Sequence, residues 1–341
     1  MKALVWEAPR VMALREQPIP RPGPDEVLVR VAYAGICGSE LSGYLGHNAL
    51  RVPPLVMGHE FAGEITQLGE QAEGVNPALA EGQAVTVNPM AYCGTCVYCT
   101  SGLPHLCPSR RLIGAHRPGA YAEYVAVPAQ LVSPLPENMP LRTGALTEPV
   151  AVAVRIGEMA GPLAGETALV IGAGPIGLLA LQAFQAQGAA RVFISDLDPE
   201  RLAMGESLSG EALNARQTDV VKTVREATGG RGVALTVDAV GASSARGQAI
   251  AATRSAGTVI LTGLHEESGP IPAADVIRRE ITLRGCFCYT PANFSEAIRR
   301  LAADEVRLDP WIVEAPLGDG GAWFDRLIDA PGAVAKVLLI P

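Results

Sequence analysis

Four cysteines stand within fifteen residues, Cys93-x2-Cys96-x2-Cys99-x7-Cys107, and no other feature limits so sharply what this chain can fold into. Four thiolates close a tetrahedron around one Zn²⁺ and leave no coordination position for chemistry, so such a site is structural. Gly94, Gly102 and Pro104 suit a loop that wraps an ion. Two disulfides or four unrelated thiols are the competing readings. Two overlapping Cys-x-x-Cys pairs with a fourth cysteine close by favour the metal. Cys37, Cys286 and Cys288 bring the count to seven, an odd number with no disulfide framework, which points to a reducing, cytoplasmic compartment.

A chain of 341 residues is long enough for two cores. Its net charge of −8 argues against nucleic acid or an anionic membrane as partner and leaves a small molecule. The N-terminal MKALVWEAPR lacks the apolar run of a signal peptide. The stretch between Glu166 and Arg191 carries no charge and is long enough to span a membrane. Its Gly172, Gly174, Pro175, Gly177 and Gly188, with Gln182, Gln185 and Gln187, fit a buried strand and a buried helix better.

Short β-type runs at Val27–Val31, Phe61–Gln67, Ala84–Val87 and Tyr124–Val127, punctuated by Pro and Gly, predict a mostly β domain. After Glu148 the rhythm changes. Strands at Thr167–Ile171, Arg191–Ser195, Val233–Val237, Thr258–Thr262 and Ile281–Arg284 alternate with helical segments at Pro175–Gln187 and Pro199–Leu208. That alternation implies a doubly wound parallel sheet with helices on both faces, an α/β architecture. The pattern breaks near Phe287. The expected organisation is therefore 1–148 with 288–341 as one domain and 149–287 as the other.

Gly172-x-Gly174-x-x-Gly177 follows a predicted strand and opens a predicted helix through Pro175 and Ile176. The first glycine allows the turn, the second lets backbone approach a pyrophosphate, and the third lets helix pack on strand. The helix N-terminus supplies amide donors to the phosphates. Asp196, nineteen positions beyond Gly177, is placed to accept from ribose hydroxyls and to repel a 2′-phosphate, which selects NAD over NADP. Arg201 is the residue that would tolerate that phosphate.

Cys37 in GICGSE, His59 and Glu60 in GHE, and Glu148 in LTEP are all zinc-ligand types. Three protein ligands with a fourth position open make a catalytic site. Taken singly, a cysteine is more often an apolar filler and a His-Glu pair a surface feature; the weight lies in their company.

Together GICGSE, MGHEFAG, the four-cysteine loop, GAYAEY, LTEPVAV, IGAGPIG and VDAVG resemble the zinc-dependent medium-chain alcohol/polyol dehydrogenases, sorbitol-dehydrogenase-like, nearly end to end. The resemblance implies a GroES-like catalytic domain beside a Rossmann domain, two Zn²⁺ per chain, NAD, and a homodimer or homotetramer. It implies Cys37 and His59 as ligands of the catalytic zinc, with Glu60 or Glu148 as the third. Ser39 matches the family's first relay hydroxyl. The His of many relatives three residues on is Ser42 here, which leaves Ser42, His47 or water for the second relay step. Tyr44, Tyr121 and Tyr289 fall where the family lines its substrate cleft. Cys288 replaces the Arg that sorbitol-dehydrogenase-like members carry there. The ending and the Glu-type zinc site also resemble bacterial sugar-phosphate alcohol dehydrogenases, although no basic cluster that reads a phosphate stands out. The implied reaction oxidises a secondary alcohol, diol or polyol, including a sugar alcohol or its phosphate, to the ketone. An L-threonine 3-dehydrogenase-like enzyme and a non-catalytic, zinc-stabilised nucleotide-binding protein are the alternatives.

Overall fold

A computed structural model describes residues 1–341. The chain divides into two units, Met1–Ala151 with Thr290–Pro341, and Val152–Tyr289.

In the first unit the longest strands, Glu26–Gly35 and Glu60–Leu68, pair antiparallel at the heart of a seven-stranded sheet. Their alternating apolar residues Val27, Val29, Val31, Phe61 and Ile65 are buried with Trp6, Tyr121 and Phe324. One pairing matters most for function. Gly35 is in register with Glu60, so the sequence just past the end of one strand (Ile36-Cys37) meets the residue just before the other (His59). The strand Lys336–Ile340 joins the same sheet, with Leu338 opposite Gly35 and Leu339 opposite Ala34. Residues distant in sequence thus converge at one sheet end. The hairpin Lys2–Ala8 with Val11–Glu16 and the strand Leu55–Val56 form a separate three-stranded sheet.

The second unit is built on six parallel strands in the order Glu211–Asn214, Arg191–Asp196, Thr167–Ile171, Val233–Asp238, Thr253–Leu261, Thr282–Gly285. This is the doubly wound order, and the first strand in sequence, Thr167–Ile171, sits at the switch point between the two halves. The uncharged stretch becomes that strand plus the helix Pro175–Ala186. No helix is long and apolar enough to cross a membrane.

Candidate metal and dinucleotide sites

The four cysteines of the loop lie with all their sulfurs within 4.8 Å of one another. Cys96 and Cys99 are 3.5 Å apart, Cys93 and Cys107 3.5 Å, and Cys93 and Cys99 3.9 Å. Zn–S bonds of about 2.3 Å in a tetrahedron put sulfurs about 3.8 Å apart, so the set fits a closed zinc site. None of the sulfurs is in a disulfide. Cys96 begins the short helix Val97–Thr100, and a single 3₁₀ turn, Pro104–Leu106, delivers Cys107. Cys93 is exposed and Cys107 buried.

The second set is Cys37, His59 and Glu60, whose ligand atoms also lie within 4.8 Å. Here the support is dense. Glu40, fully buried, sits at the centre of it. Its Oε1 accepts from Gly58 N at 2.8 Å and lies 2.8 Å from His59 Nδ1. Its Oε2 accepts from Cys37 N at 3.1 Å and from the Tyr121 hydroxyl. Burial opposes charge on Glu40, but His59, Arg51 and Tyr121 hold its pKa down at about 2. An ionised carboxylate only accepts, so Nδ1 carries a proton and Nε2 is the nitrogen left for a metal, the arrangement that orients a ligating histidine. Cys37, His59 and Glu60 with one open position fit a catalytic zinc.

Glu60 is itself paired. Lys336 Nζ donates to its two oxygens at 2.6 and 2.9 Å and to the Ile36 carbonyl at 3.0 Å. Glu60 is 1% exposed and Lys336 3%. Burial works against the Lys336 charge, yet Glu60, Cys37 and Glu148 raise its pKa. Glu148, the second residue of the helix Thr147–Ala160, is half-buried and outside the tight cluster. Ser39 is exposed, with Oγ 3.5 Å from Cys37 Sγ. Ser42 is half-buried and His47 exposed.

The tyrosines differ from expectation. Tyr121 is buried, and its hydroxyl donates to Glu40 and lies 3.0 Å from the Gly35 carbonyl. Tyr44 is 1% exposed, packs on Phe324 and donates to Asp325 at 3.1 Å. Tyr121 braces the candidate metal ligands through Glu40, and the hydroxyl of Tyr44 is committed to Asp325. Tyr289 is 2% exposed.

Sequence reasoning assigned no role to Glu40, Arg51 or Lys336. Glu40 had a usable signal: Cys37-x-x-Glu40 is the spacing of a capping box, and Glu40 does bond back to the N-cap backbone of the helix Gly38–Tyr44. Lys336 had none, because it acts on a residue 276 positions away, and nothing in the spacing of Arg51 and Ser39 marks their contact.

In the second unit Gly172 has φ +97°, and a Cβ on Gly177 would fall 1.7 Å from the Gly172 carbonyl. Gly174 caps the helix, with Pro175 and Ile176 in its first turn. Asp196 closes the turn against the next strand: Oδ2 accepts from Ala173 N at 2.7 Å, and Oδ1 from Leu197 N at 2.7 Å and Asp198 N at 3.0 Å. Arg201 Nη1 lies 3.9 Å from where a Gly174 Cβ would stand, and its Nε is buried without a partner. Just beyond Asp196 opens a cavity of about 490 Å³ walled by Leu197, Asp198, Pro199, Asn214 and Arg216. A tight glycine turn at a helix N-terminus, an acidic strand end and an adjoining cavity fit a dinucleotide.

Two family models match the chain. Residues 23–137 match the family model described as alcohol dehydrogenase GroES-like domain, and 175–303 that described as zinc-binding dehydrogenase. The chain is 31% identical over 312 residues to 2-dehydro-3-deoxy-L-galactonate 5-dehydrogenase of Pseudoalteromonas atlantica, covering 91% of this chain and 90% of that one. It is 36% identical over 323 residues to L-threonine 3-dehydrogenase of Pyrococcus horikoshii, covering 93% and 90%. The crystal structure of galactitol-1-phosphate dehydrogenase from Escherichia coli superposes with a TM-score of 0.91 at 29% identity, covering all of both chains.

Proposed function

The chain belongs to the zinc-binding alcohol dehydrogenase family, and from that premise we propose that it oxidises a secondary hydroxyl of a polyol or polyol derivative to the ketone, with NAD as hydride acceptor. The observation that carries this reading is the convergence of Cys37, His59 and Glu60 within 4.8 Å, with one histidine nitrogen already pinned by Glu40. Cys37, His59 and Glu60 would hold a zinc ion there, which would supply Lewis acidity at the substrate oxygen, and the bound NAD would supply the hydride acceptor.

The protein's own residues do the rest. Glu40 fixes the tautomer and the plane of His59, and its second oxygen holds the Cys37 backbone in place. Lys336 neutralises Glu60 without removing it from the cluster. Glu148 supplies a further carboxylate for the metal site. Ser39 takes the hydroxyl proton and passes it outward, since its side chain reaches solvent. Ser42, His47 or water takes the second relay step. Cys93, Cys96, Cys99 and Cys107 hold a second zinc that does no chemistry. Gly172, Gly174, Pro175, Ile176 and Gly177 cradle the pyrophosphate. Asp196 meets the adenosine ribose, with Arg201 beside it. On this reading 1–148 with 288–341 is catalytic and 149–287 binds NAD, and the enzyme works as a cytoplasmic homodimer or homotetramer.

L-Threonine is the second reading, favoured by the 36% identity to the Pyrococcus enzyme. The deciding experiment measures zinc per chain, then NADH formation with polyols, diols, aldonates, polyol phosphates and L-threonine. Turnover of a polyol or its derivative with two zincs bound supports the proposal. Turnover of threonine alone moves the assignment to the second reading. Two zincs and no turnover with any of these classes overturns both.

A further inference from the structure

Arg51 is the least explained charge in the first unit. It is 4% exposed. Its side-chain hydrogen bonds go to one residue, from Nη1 to the Ser39 carbonyl at 3.2 Å and from Nη2 to Ser39 Oγ at 3.3 Å. Its Nε–H is buried with no acceptor. Glu40 feels its charge, but both Glu40 oxygens are taken by Gly58, His59, Cys37 and Tyr121. The side chain lies against the helix Gly38–Tyr44 where Gly43 makes room for it: a Cβ there would come within 2.6 Å of Arg51 Cδ.

A second segment meets it. His116 Nδ1 accepts from Leu112 N at 3.0 Å, which leaves Nε2–H as a donor. Burial lowers its pKa first, and then the charges of Arg111, Arg110 and Arg51, which all reach it. The charges of Arg51, Arg110 and Arg111 therefore act on one imidazole, and residues 51 and 110–116 are too far apart in sequence to read as a basic patch.

A buried cation without a directly bonded carboxylate is costly, and a built protein keeps one where an anion completes it. The guanidinium fork matches carboxylate and phosphate oxygens, which accept two parallel N–H bonds. We propose that Arg51, aided by His116, forms an anion subsite beside Ser39, so that the preferred substrate is a polyol bearing a carboxylate or a phosphate and not a neutral sugar alcohol. This rests on the dehydrogenase reading and narrows its substrate class. Arg51 sets specificity; a guanidinium does not give up a proton at neutral pH, so it is not a relay member. Arg110 and Arg111 add a field that draws the anion in.

The test compares kcat/KM of zinc-replete enzyme with NAD for matched sets: alditols, the corresponding aldonates and the corresponding alditol phosphates, with galactitol and galactitol 1-phosphate as one pair and L-galactonate included. The best substrate should be an anion preferred at least about 100-fold over its neutral counterpart, a threshold below the roughly 10⁴- to 10⁵-fold by which a site built for a polar group rejects a substrate lacking it. Whether carboxylate or phosphate leads names the source of the charge. Arg51→Gln should collapse that anion-to-neutral ratio, Arg51→Lys should restore part of it, and His116→Gln should lower it less. The ratio is read because loss of the Ser39 contacts affects all substrates alike. A neutral best substrate, or a ratio unchanged in Arg51→Gln, overturns the subsite. If nothing in the panel turns over, the dehydrogenase reading fails instead. Calorimetric titration of inorganic phosphate and of L-galactonate into wild type and Arg51→Gln then decides the subsite alone: binding lost in the variant supports it, and equal or absent binding in both overturns it.

Discussion

The two candidate metal sites of the first unit are built in opposite ways. The four-cysteine site draws every ligand from one fifteen-residue loop and lies partly exposed. The site of Cys37, His59 and Glu60 draws its ligands from two strand ends and its support from Glu40, Tyr121 and Lys336, and nearly all of it is buried. A closed site needs only the right donors, because the ion itself organises them. An open site must keep its geometry while one position exchanges ligands, so the protein has to supply the rigidity that a fourth protein ligand would have given.

The sharpest way to break this contrast is Cys37→Ala. Turnover should fall by about 10³-fold or more, the several kcal/mol that a Lewis acid contributes. NAD binding should change by no more than a few-fold, and the cysteine loop should keep its zinc. Normal kcat in this variant would mean that the open site is not where the chemistry happens.

Next in size is Lys336→Met, which leaves Glu60 buried without its counter-charge. A loss of about 3–5 kcal/mol in a denaturant melt is expected, with most of it regained in Lys336→Met combined with Glu60→Gln. Cys99→Ala, by contrast, should loosen mainly residues 93–107. If both changes unfold the chain equally, the distinction between a braced site and a self-contained one fails.

Glu40→Gln tests the bracing at the ligand itself. Zinc affinity at the open site should drop about 10- to 100-fold, read by chelator competition, while the closed site keeps its affinity. Equal losses at both would show that Glu40 supports the fold and not the histidine. The smallest effect lies outside both sites: Asp196→Ala should shift the Kd ratio several-fold towards NADP and leave zinc content alone. An unchanged ratio would assign cofactor choice to another group.

What could be read in advance follows the same contrast. The cysteine loop and the glycine turn are local, and their residues lie in sequence order along one bend, so spacing alone identifies them. Asp196 was legible because strand and helix lengths put it at a fixed distance from Gly177. Lys336 was not: AVAKVLL reads as an ordinary apolar strand, and only the pairing of that strand with Glu26–Gly35 brings its amine to Glu60. A tyrosine in sequence does not say which way its hydroxyl points, so nothing in the sequence shows that the Tyr121 hydroxyl bonds to Glu40 and that of Tyr44 to Asp325. The strand Glu211–Asn214 was missed for a related reason, being a short edge strand only half-buried throughout.

The partnership of Glu60 with Lys336 also has a temporal side. The two are separated by 276 residues, and a ribosome adding about 5–20 residues per second needs about 15–55 s to cover that distance. For that interval the nascent first unit holds a carboxylate whose counter-ion does not yet exist. The sheet end that carries the open site is therefore finished only after the whole nucleotide unit has emerged, and a product cut short in translation would keep its cysteine loop but remain chemically silent.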